Sequence, residues 1–296
     1  MSAGRRLAVI VNPTAGRGRA LATLRAACAE LDRIGADYRV EESKGLDHAR
    51  GAAEAAIAAR ETVVAVGGDG LVACLASVLC GSPGALAVVP AGRGNDFARA
   101  IGVPSEPAAA ARVAVEGRER LIDVGEVDGK PFLCIASVGF DSDVNRLAAG
   151  ARLARGRLAY VYAALRALAG WKHATFEVRV DGRAQTFAGY SVAVANTGVY
   201  GGGMKLAPHA RLEDGLLDVV TVATAGKLDF LMTFSKVFRG RHVAHPAIGF
   251  QTAETVALDA ERPFDVYADG EPIGRLPVTV RVRPRALRVI APVGAA

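Results

Sequence analysis

Long apolar runs are missing from this chain. No stretch approaches the roughly 18–20 consecutive apolar residues that a membrane-spanning helix needs. The apolar segment nearest the start, Leu7–Val11, is too short for the hydrophobic region of a signal peptide. Both absences predict a cytoplasmic protein. Cysteine is scarce: Cys28, Cys74, Cys80 and Cys134 form no CxxC pair and no zinc spacing, which predicts buried thiols in a reducing compartment. Aromatic residues make up only 6% of the chain and no nucleic-acid motif is present, so nucleic acid is not the expected partner. The five histidines, at 48, 173, 209, 242 and 245, have no metal spacing on a helix and are expected to be solvated or to cap. Lysine is rare too, six against 30 arginines, and the net charge is +6. A modest positive excess suits a phosphate-bearing ligand or an anionic membrane.

What is present is an ordinary globular composition. Hydrophobic residues are 51% and charged residues 22%, which excludes global disorder. At roughly 100–200 residues per domain, 296 residues suggest two domains. The first third alternates strand and helix patterns. Strands are expected at Leu7–Val11, Asp37–Val40, Thr62–Val66 and Ala85–Val89, and helices at Ala20–Ile34, Asp47–Arg60, Leu71–Leu79 and Phe97–Ile101. Such alternation implies a parallel sheet with right-handed crossovers.

From about residue 121 the pattern changes to short alternating runs: Phe132–Ser137, Thr175–Val180, Ala188–Ala195, Leu217–Val222, Thr255–Leu258, Phe264–Ala268 and Val278–Arg283. Asp-Gly pairs at 128-129, 181-182, 214-215 and 269-270 each signal a hairpin. This half reads as an antiparallel β domain interrupted by helices near Arg152–Ala169 and Lys227–Arg239. Both helices mix apolar and basic side chains, a pattern that suits either packing on the sheet or resting on anionic lipid. The expected division is 1–122 as an α/β nucleotide-binding domain and 123–284 as a β-sandwich, with 285–296 returning to the first.

Three glycine-rich loops each follow a buried strand and precede a helix: Asn12–Gly18, Gly67–Gly70 and Ala91–Asp96. In an open parallel sheet these gather at the carboxyl ends of the strands, where ligands bind. Glycine lets the backbone approach a ligand and aim N–H groups at phosphate oxygens, and the helix dipole adds to this. Arg17, Arg19 and Arg93 add positive charge. Neither GxxxxGK[ST] nor GxGxxG is present, which excludes a P-loop and the usual dinucleotide fingerprint. Asp69 stands out, because a carboxylate beside phosphates is repelled unless a cation lies between them; it therefore points to Mg²⁺. The alternative is a helix N-cap. Asp269-Gly270-Glu271 offers two carboxylates at i and i+2, which share a side if the segment is extended. Taken alone, the Asp-Gly pair also reads as a hairpin turn.

Val66-Gly67-Gly68-Asp69-Gly70 resembles the GGDG signature of the diacylglycerol kinase catalytic-domain family, which includes soluble bacterial lipid kinases and sphingoid-base kinases. Asn12-Pro13-Thr14-Ala15-Gly16 resembles that family's N-P-x-[AS]-G opening. Pro90-Ala91-Gly92-Arg93-Gly94-Asn95-Asp96-Phe97-Ala98-Arg99 resembles its P-x-G-T-G-N-D-F-A-R segment. Val138–Asp141, Tyr200–Met204 and Asp269–Glu271 follow in the family's order, so the resemblance spans nearly the whole chain. It implies nucleotide in a cleft between an α/β domain and a β-sandwich, with ATP as phosphoryl donor and Mg²⁺ as cofactor. The implied nucleotide contacts are Asn12, Pro13, Gly16, Arg17, Ser43, Gly67, Gly68, Asp69, Gly70, Leu71, Arg93, Asn95 and Asp96. Ser43 stands where the family usually has Thr and keeps the hydroxyl. A catalytic base is implied at Asp269 or Glu271. Arg211-Leu212-Glu213-Asp214-Gly215-Leu216 resembles a segment that binds a structural Mg²⁺ through one carboxylate and two backbone carbonyls, which here are Asp214, Arg211 and Leu216.

Some positions depart from the family. Leu71, Ala73 and Cys74 replace a hydroxyl, an amide and a carboxylate, although sphingoid-base kinases also carry GDGL. Arg93 replaces Thr or Ser, and its guanidinium can pair with phosphate. The reading is an ATP-dependent kinase for a lipid hydroxyl, most simply diacylglycerol giving phosphatidate. It would work at the inner face of the membrane as a peripheral protein, with a homodimer allowed. The alternatives are a sphingoid-base kinase, an NAD-kinase-like small-molecule kinase, and a non-catalytic nucleotide or lipid sensor.

Overall fold

The computed structural model describes residues 5–150 and 166–294. Apolar runs at β1 (Arg6–Val11), β3 (Thr62–Gly67) and β4 (Ala85–Pro90) are almost entirely buried, as strands covered on both faces must be. With β2 (Asp37–Glu42) they form a parallel sheet in the order β2-β1-β3-β4. Helices α1 (Arg19–Arg33), α2 (Leu46–Ala58) and α3 (Asp69–Leu79) connect the strands, and α4 (Asp96–Ala100) follows β4. The strand–helix alternation of the sequence is therefore recovered element by element. An Ala-rich helix that the sequence reading passed over, α5 (Pro107–Glu116), packs on α1. Its start is fixed by Glu106, whose carboxylate accepts from the amides of Ala108 and Ala109.

The second half is antiparallel. It contains β5 (Arg118–Val127), β6 (Lys130–Phe132), β7 (Ile135–Gly139), α6 (Phe140–Gly150), β8 (Ala174–Val180), β9 (Arg183–Ala195) and β10 (Leu217–Ala223). After α7 (Lys227–Val237) come β11 (Ile248–Ala253), β12 (Thr255–Ala260), β13 (Asp265–Ala268), β14 (Glu271–Arg275) and β15 (Val278–Ala291). Most of the expected Arg152–Ala169 helix lies outside the described residues. Three of the four Asp-Gly pairs turn hairpins, with both residues at positive φ: 128-129, 181-182 and 269-270. The fourth, 214-215, does not, because β10 pairs with β9 and β11 rather than with the segment before it.

β15 joins the two halves. Its first part pairs antiparallel with β12, and further on Arg288 and Val289 pair in parallel with Ala85 and Leu86 of β4. β5 runs along nearly its whole length, with a break in register between Arg283 and Leu287. The buried Asp123 holds that break: its carboxylate accepts from the amides of Arg285 and Gly215, both at 2.7 Å. The result is a mixed sheet with an N-terminal α/β part and a C-terminal β-sandwich-like part. One core lies between the parallel sheet and its helices and takes in Leu287, Val289 and Ile290 of β15. The other lies among the antiparallel strands around Phe176, Tyr190 and Val192.

Candidate active site

The three glycine loops meet at the carboxyl ends of β1, β3 and β4. Their close approach requires missing side chains. A Cβ on Gly16 would collide with the Ala91 carbonyl, and one on Gly92 would lie 2.5 Å from the Gly68 Cα. Asn12 organises the first loop, its Oδ1 accepting from the Thr14 amide (3.1 Å) and hydroxyl (2.8 Å), with Pro13 between them. Asn95, at φ 52°, closes the third loop by pairing its amide group with Gly92 N–H and C=O. Ser43 is buried, with its amide on the Val11 carbonyl, and so sits beside Asn12 at the end of β1. Gly67 and Gly68 lead into α3, and at Gly70, in its first turn, no other element lies within 4 Å of the position a Cβ would take.

Asp69 opens α3 but does not cap it. Its Oδ2 accepts from Asn95 N–H and its Oδ1 from Asp96 N–H, both at 2.8 Å, so it clamps the third loop onto the second. Each oxygen keeps a lone-pair direction. Asp96 extends the chain of clamps: its carboxylate accepts from the amides of Gly202 (2.9 and 3.0 Å) and Gly203 (3.1 Å). Gly201, Gly202 and Gly203 all have positive φ, a backbone path open only to glycine, and the Tyr200–Met204 bridge closes the loop behind them. Burial pushes the Asp96 carboxyl up, the two amides pull it down, and the charge of Asp69 raises it again.

Asp269 approaches from the other half. Its Oδ2 accepts from Leu133 N–H (2.7 Å), and its Oδ1 from Cys134 (2.8 Å) and Ile135 (3.2 Å). Three successive amides cannot all turn to one carboxylate from a regular strand. The expected strand Phe132–Ser137 is therefore split into β6 and β7 here. Burial pushes the Asp269 carboxyl up to about 6; the three amides lower it and the Asp69 charge raises it. Cys134 lies within the field of Asp269, Asp69 and Asp96, and burial together with those charges pushes its thiol well up, so it stays protonated.

Other expected residues lie at the rim or outside it. Glu271 begins β14 and is exposed. Because Asp269 and Gly270 form the turn, at φ 50° and 88°, the segment is not extended and the shared-side expectation for Asp269 and Glu271 does not hold. The Leu71 side chain is buried against Gly67 rather than facing the loops. Cys74 is buried over α2, with its thiol toward the Leu46 carbonyl. Arg93 is exposed on the third loop. Arg17 ends the short turn Ala15–Arg17, and the Arg19 guanidinium donates to the Gly16 carbonyl. Asp214 is exposed and its Oδ1 accepts from Leu216 N–H, while Asp123 fixes the intervening Gly215. Asp218 lies near Asp214, and burial and that charge push its carboxyl up to about 6. Among the described residues, no three His, Cys, Asp or Glu are grouped to hold a metal through protein ligands alone.

An apolar cavity that sequence reasoning missed lies beside this centre. Tyr200 and Met204 form part of its wall, so the loop that docks on Asp96 also bounds the cavity. Phe140, Val222, Phe230 and Phe234 line it as well. Phe140, Trp171, Tyr190 and Phe230 pack ring on ring behind it. These aromatics are far apart in sequence and share no period, so no linear pattern marks them.

Three polar groups on the wall lack partners. Asp141 has no bond or ion pair among the described residues, and burial alone pushes its carboxyl up to about 6. Thr233 Oγ1 and His242 Nδ1 are buried without a partner. His242 is fully buried, so of the two roles expected of it, solvated or capping, the solvated one does not hold. Its Nε2 faces the Leu206 carbonyl at 2.9 Å and burial lowers its pKa, so Nε2 carries the hydrogen and Nδ1 is an acceptor.

Residues 6–127 match the family described as "Diacylglycerol kinase catalytic domain", and residues 134–291 match "YegS C-terminal NAD kinase beta sandwich-like domain". A protein of Mycobacterium tuberculosis named "Diacylglycerol kinase" is 35% identical, over 97% of this chain and 95% of its own. This chain belongs to the diacylglycerol kinase catalytic-domain family. A Pseudomonas aeruginosa relative named "Probable lipid kinase YegS-like" is 34% identical over 92% of this chain and 90% of its own. In fold, a solved structure titled as a diacylglycerol kinase from Bacillus anthracis covers 100% of both chains with a TM-score of 0.78 at 20% identity. The six ordered motifs of the sequence thus belong to a lipid-kinase family. No helix among the described residues is long and apolar enough to cross a membrane.

Proposed function

We propose that this protein is an ATP-dependent lipid kinase that moves the γ-phosphoryl group to a lipid hydroxyl, most simply that of diacylglycerol, at the inner face of the membrane. One observation carries the reading. The Tyr200–Met204 loop has its Gly202 and Gly203 amides on Asp96 of the phosphate-type loops and its Tyr200 and Met204 side chains on the apolar cavity. A phosphate site and an acyl site with a common wall are what a lipid kinase needs. The names of the relatives support the same substrate class.

The loops would take the nucleotide. The glycine loops around Gly16, Gly68 and Gly92 and the start of α3 would lie against its phosphates, with Asn12 and Ser43 beside them. Arg17, Arg19 and Arg93, on or beside the first and third loops, are the cations we assign to offset charge on the transferring group. The donor set fits Mg²⁺: Asp69 and Asp96 offer only hard oxygens with lone pairs to spare, and this cation is usually completed by substrate phosphates and water. When bound, it would neutralise phosphate charge. At the second segment, the carboxylate of Asp214 and the carbonyls of Arg211 and Leu216 are an all-oxygen set of the same kind. Asp269 is the base we favour. It is held inward by three amides, and its elevated pKa suits accepting the hydroxyl proton as that oxygen attacks phosphorus and the nucleotide diphosphate leaves. Glu271, exposed at the rim, is the second candidate.

The test is transfer of labelled phosphate from ATP to lipids in mixed micelles, with and without Mg²⁺. Asp269→Asn/Glu271→Gln should lose transfer by at least about a hundredfold while nucleotide still binds, and the single variants apportion the loss. Undiminished transfer by the double variant would overturn the assignment. One observation favours a second acceptor: His242 Nδ1 can only accept, and diacylglycerol tails offer it no hydrogen. A sphingoid base or an amide-linked lipid would supply N–H or O–H, so both belong in the panel.

A further inference from the structure

Helix α7 has apolar residues on two opposite sides. Phe230, Thr233, Phe234 and Val237 face the cavity. The other side bears Leu228, Leu231 and Met232, which are 71%, 41% and 53% exposed, and Phe238 follows at 46%. Protein surfaces usually scatter large apolar side chains singly. Here four lie within three turns of one helix, and among the described residues the only other large hydrophobics this exposed are Val40, Leu46 and Val293. Lys227, Lys236, Arg239 and Arg241 surround the patch and are all exposed. Lys236, Arg239 and Arg241 have no ion-pair partner among the described residues. The one carboxylate on the helix, Asp229, is already engaged by His245 Nε2 at 3.1 Å.

We propose that the outer face of α7, with Phe238, inserts into the headgroup region of an anionic bilayer, and that the cavity behind the same helix is filled from that side. Charge complementarity selects this occupant. Leucine, methionine and phenylalanine enter the acyl boundary, while the lysines and arginines around them stay with anionic headgroups. Continuity supports it too, since the helix whose outer face would meet the bilayer also supplies Phe230, Phe234 and Val237 of the cavity wall. The docking half of the proposal stands apart from the kinase reading. The filling half rests on it.

The experiment is co-sedimentation of the full chain, without nucleotide, with vesicles of mixed phosphatidylglycerol and phosphatidylcholine or of phosphatidylcholine alone. The wild type should partition onto the mixed vesicles and be released by salt. Leu231→Glu/Met232→Glu should weaken partition at least about tenfold. Lys236→Gln/Arg239→Gln should erase the preference for anionic vesicles while keeping the weak apolar term. None of these four side chains lines the cavity or touches the acidic centre. Emission from Trp171, the chain's single tryptophan, checks that each variant keeps its aromatic core. The proposal is overturned if the wild type ignores anionic vesicles or if Leu231→Glu/Met232→Glu binds them as well as the wild type. It is also overturned if that variant instead halves the mass of the particle in solution, which would assign the patch to a second copy of the chain. Because no turnover is measured, these outcomes are independent of whether phosphate reaches any lipid.

Discussion

Asp269 shows how one residue carries two meanings. As half of an Asp-Gly pair it marks a hairpin, and it does turn one. Its carboxylate also gathers three amides across more than 130 residues of chain. Burial raises its pKa to about 6, so below that pH the carboxyl binds a proton and cannot accept another. If Asp269 is the base, kcat/KM should fall about tenfold per pH unit below about 6 and level off above it. A pH–rate profile measured beside that of Asp269→Glu tests this, and an acid limb that stays near pH 4 would assign the proton elsewhere. Asp69 was legible as the unusual residue of its loop. Its two amide partners were not, because nothing in a Gly-Asp-Gly run states where another loop will lie. Leu71 has a similar lesson. As a departure from the family it points to a lost contact, yet the side chain is spent on the core beside Gly67.

Among elements, the loops depend most on steric detail. Gly92 and Gly68 touch backbone to backbone, so Gly92→Ala must push the two loops apart. It should cost about 1–3 kcal/mol in thermal unfolding and raise the KM for ATP severalfold, whereas Gly129→Ala, on a distant hairpin in open space, should leave that KM unchanged. Equal KM values for the two variants would separate the loops from nucleotide binding. Strand and helix periods were readable where both faces are buried, as in β1, β3 and β4, but the half-buried β5 and the edge strand β11 were passed over. They misled at Phe132–Ser137, where apolar residues continue through a break that serves Asp269. They passed over α5, whose buried face consists of alanines alone, Ala110, Ala111 and Ala114. α7 was recognised as apolar and basic, but the sequence could not say that its two apolar sides face different surroundings.

At the scale of the molecule, β15 is the joint. It pairs first with β12 and then with β4, its last residues belong to the first core, and β5 runs along most of its length. Truncation after Arg283 removes the strand paired with β4 and the Arg285 amide that Asp123 holds. Calorimetry should then show loss of a single cooperative transition, not a small shift in Tm. A truncated chain that melts like the wild type would mean that the first core is complete without it. The amino-acid sequence by itself determined the strand and helix alternation, the glycine loops, the turn residues and the family. Each of these follows from burial periodicity, backbone freedom or an ordered motif, which are properties of neighbouring residues. Only the tertiary structure decided that Asp69, Asp96 and Asp269 spend their oxygens on amides from other elements, that scattered aromatics enclose a cavity, and that α7 stands between that cavity and solvent. Those outcomes depend on which distant surfaces meet, and hydrogen bonds and apolar contacts formed across the fold carry no local period.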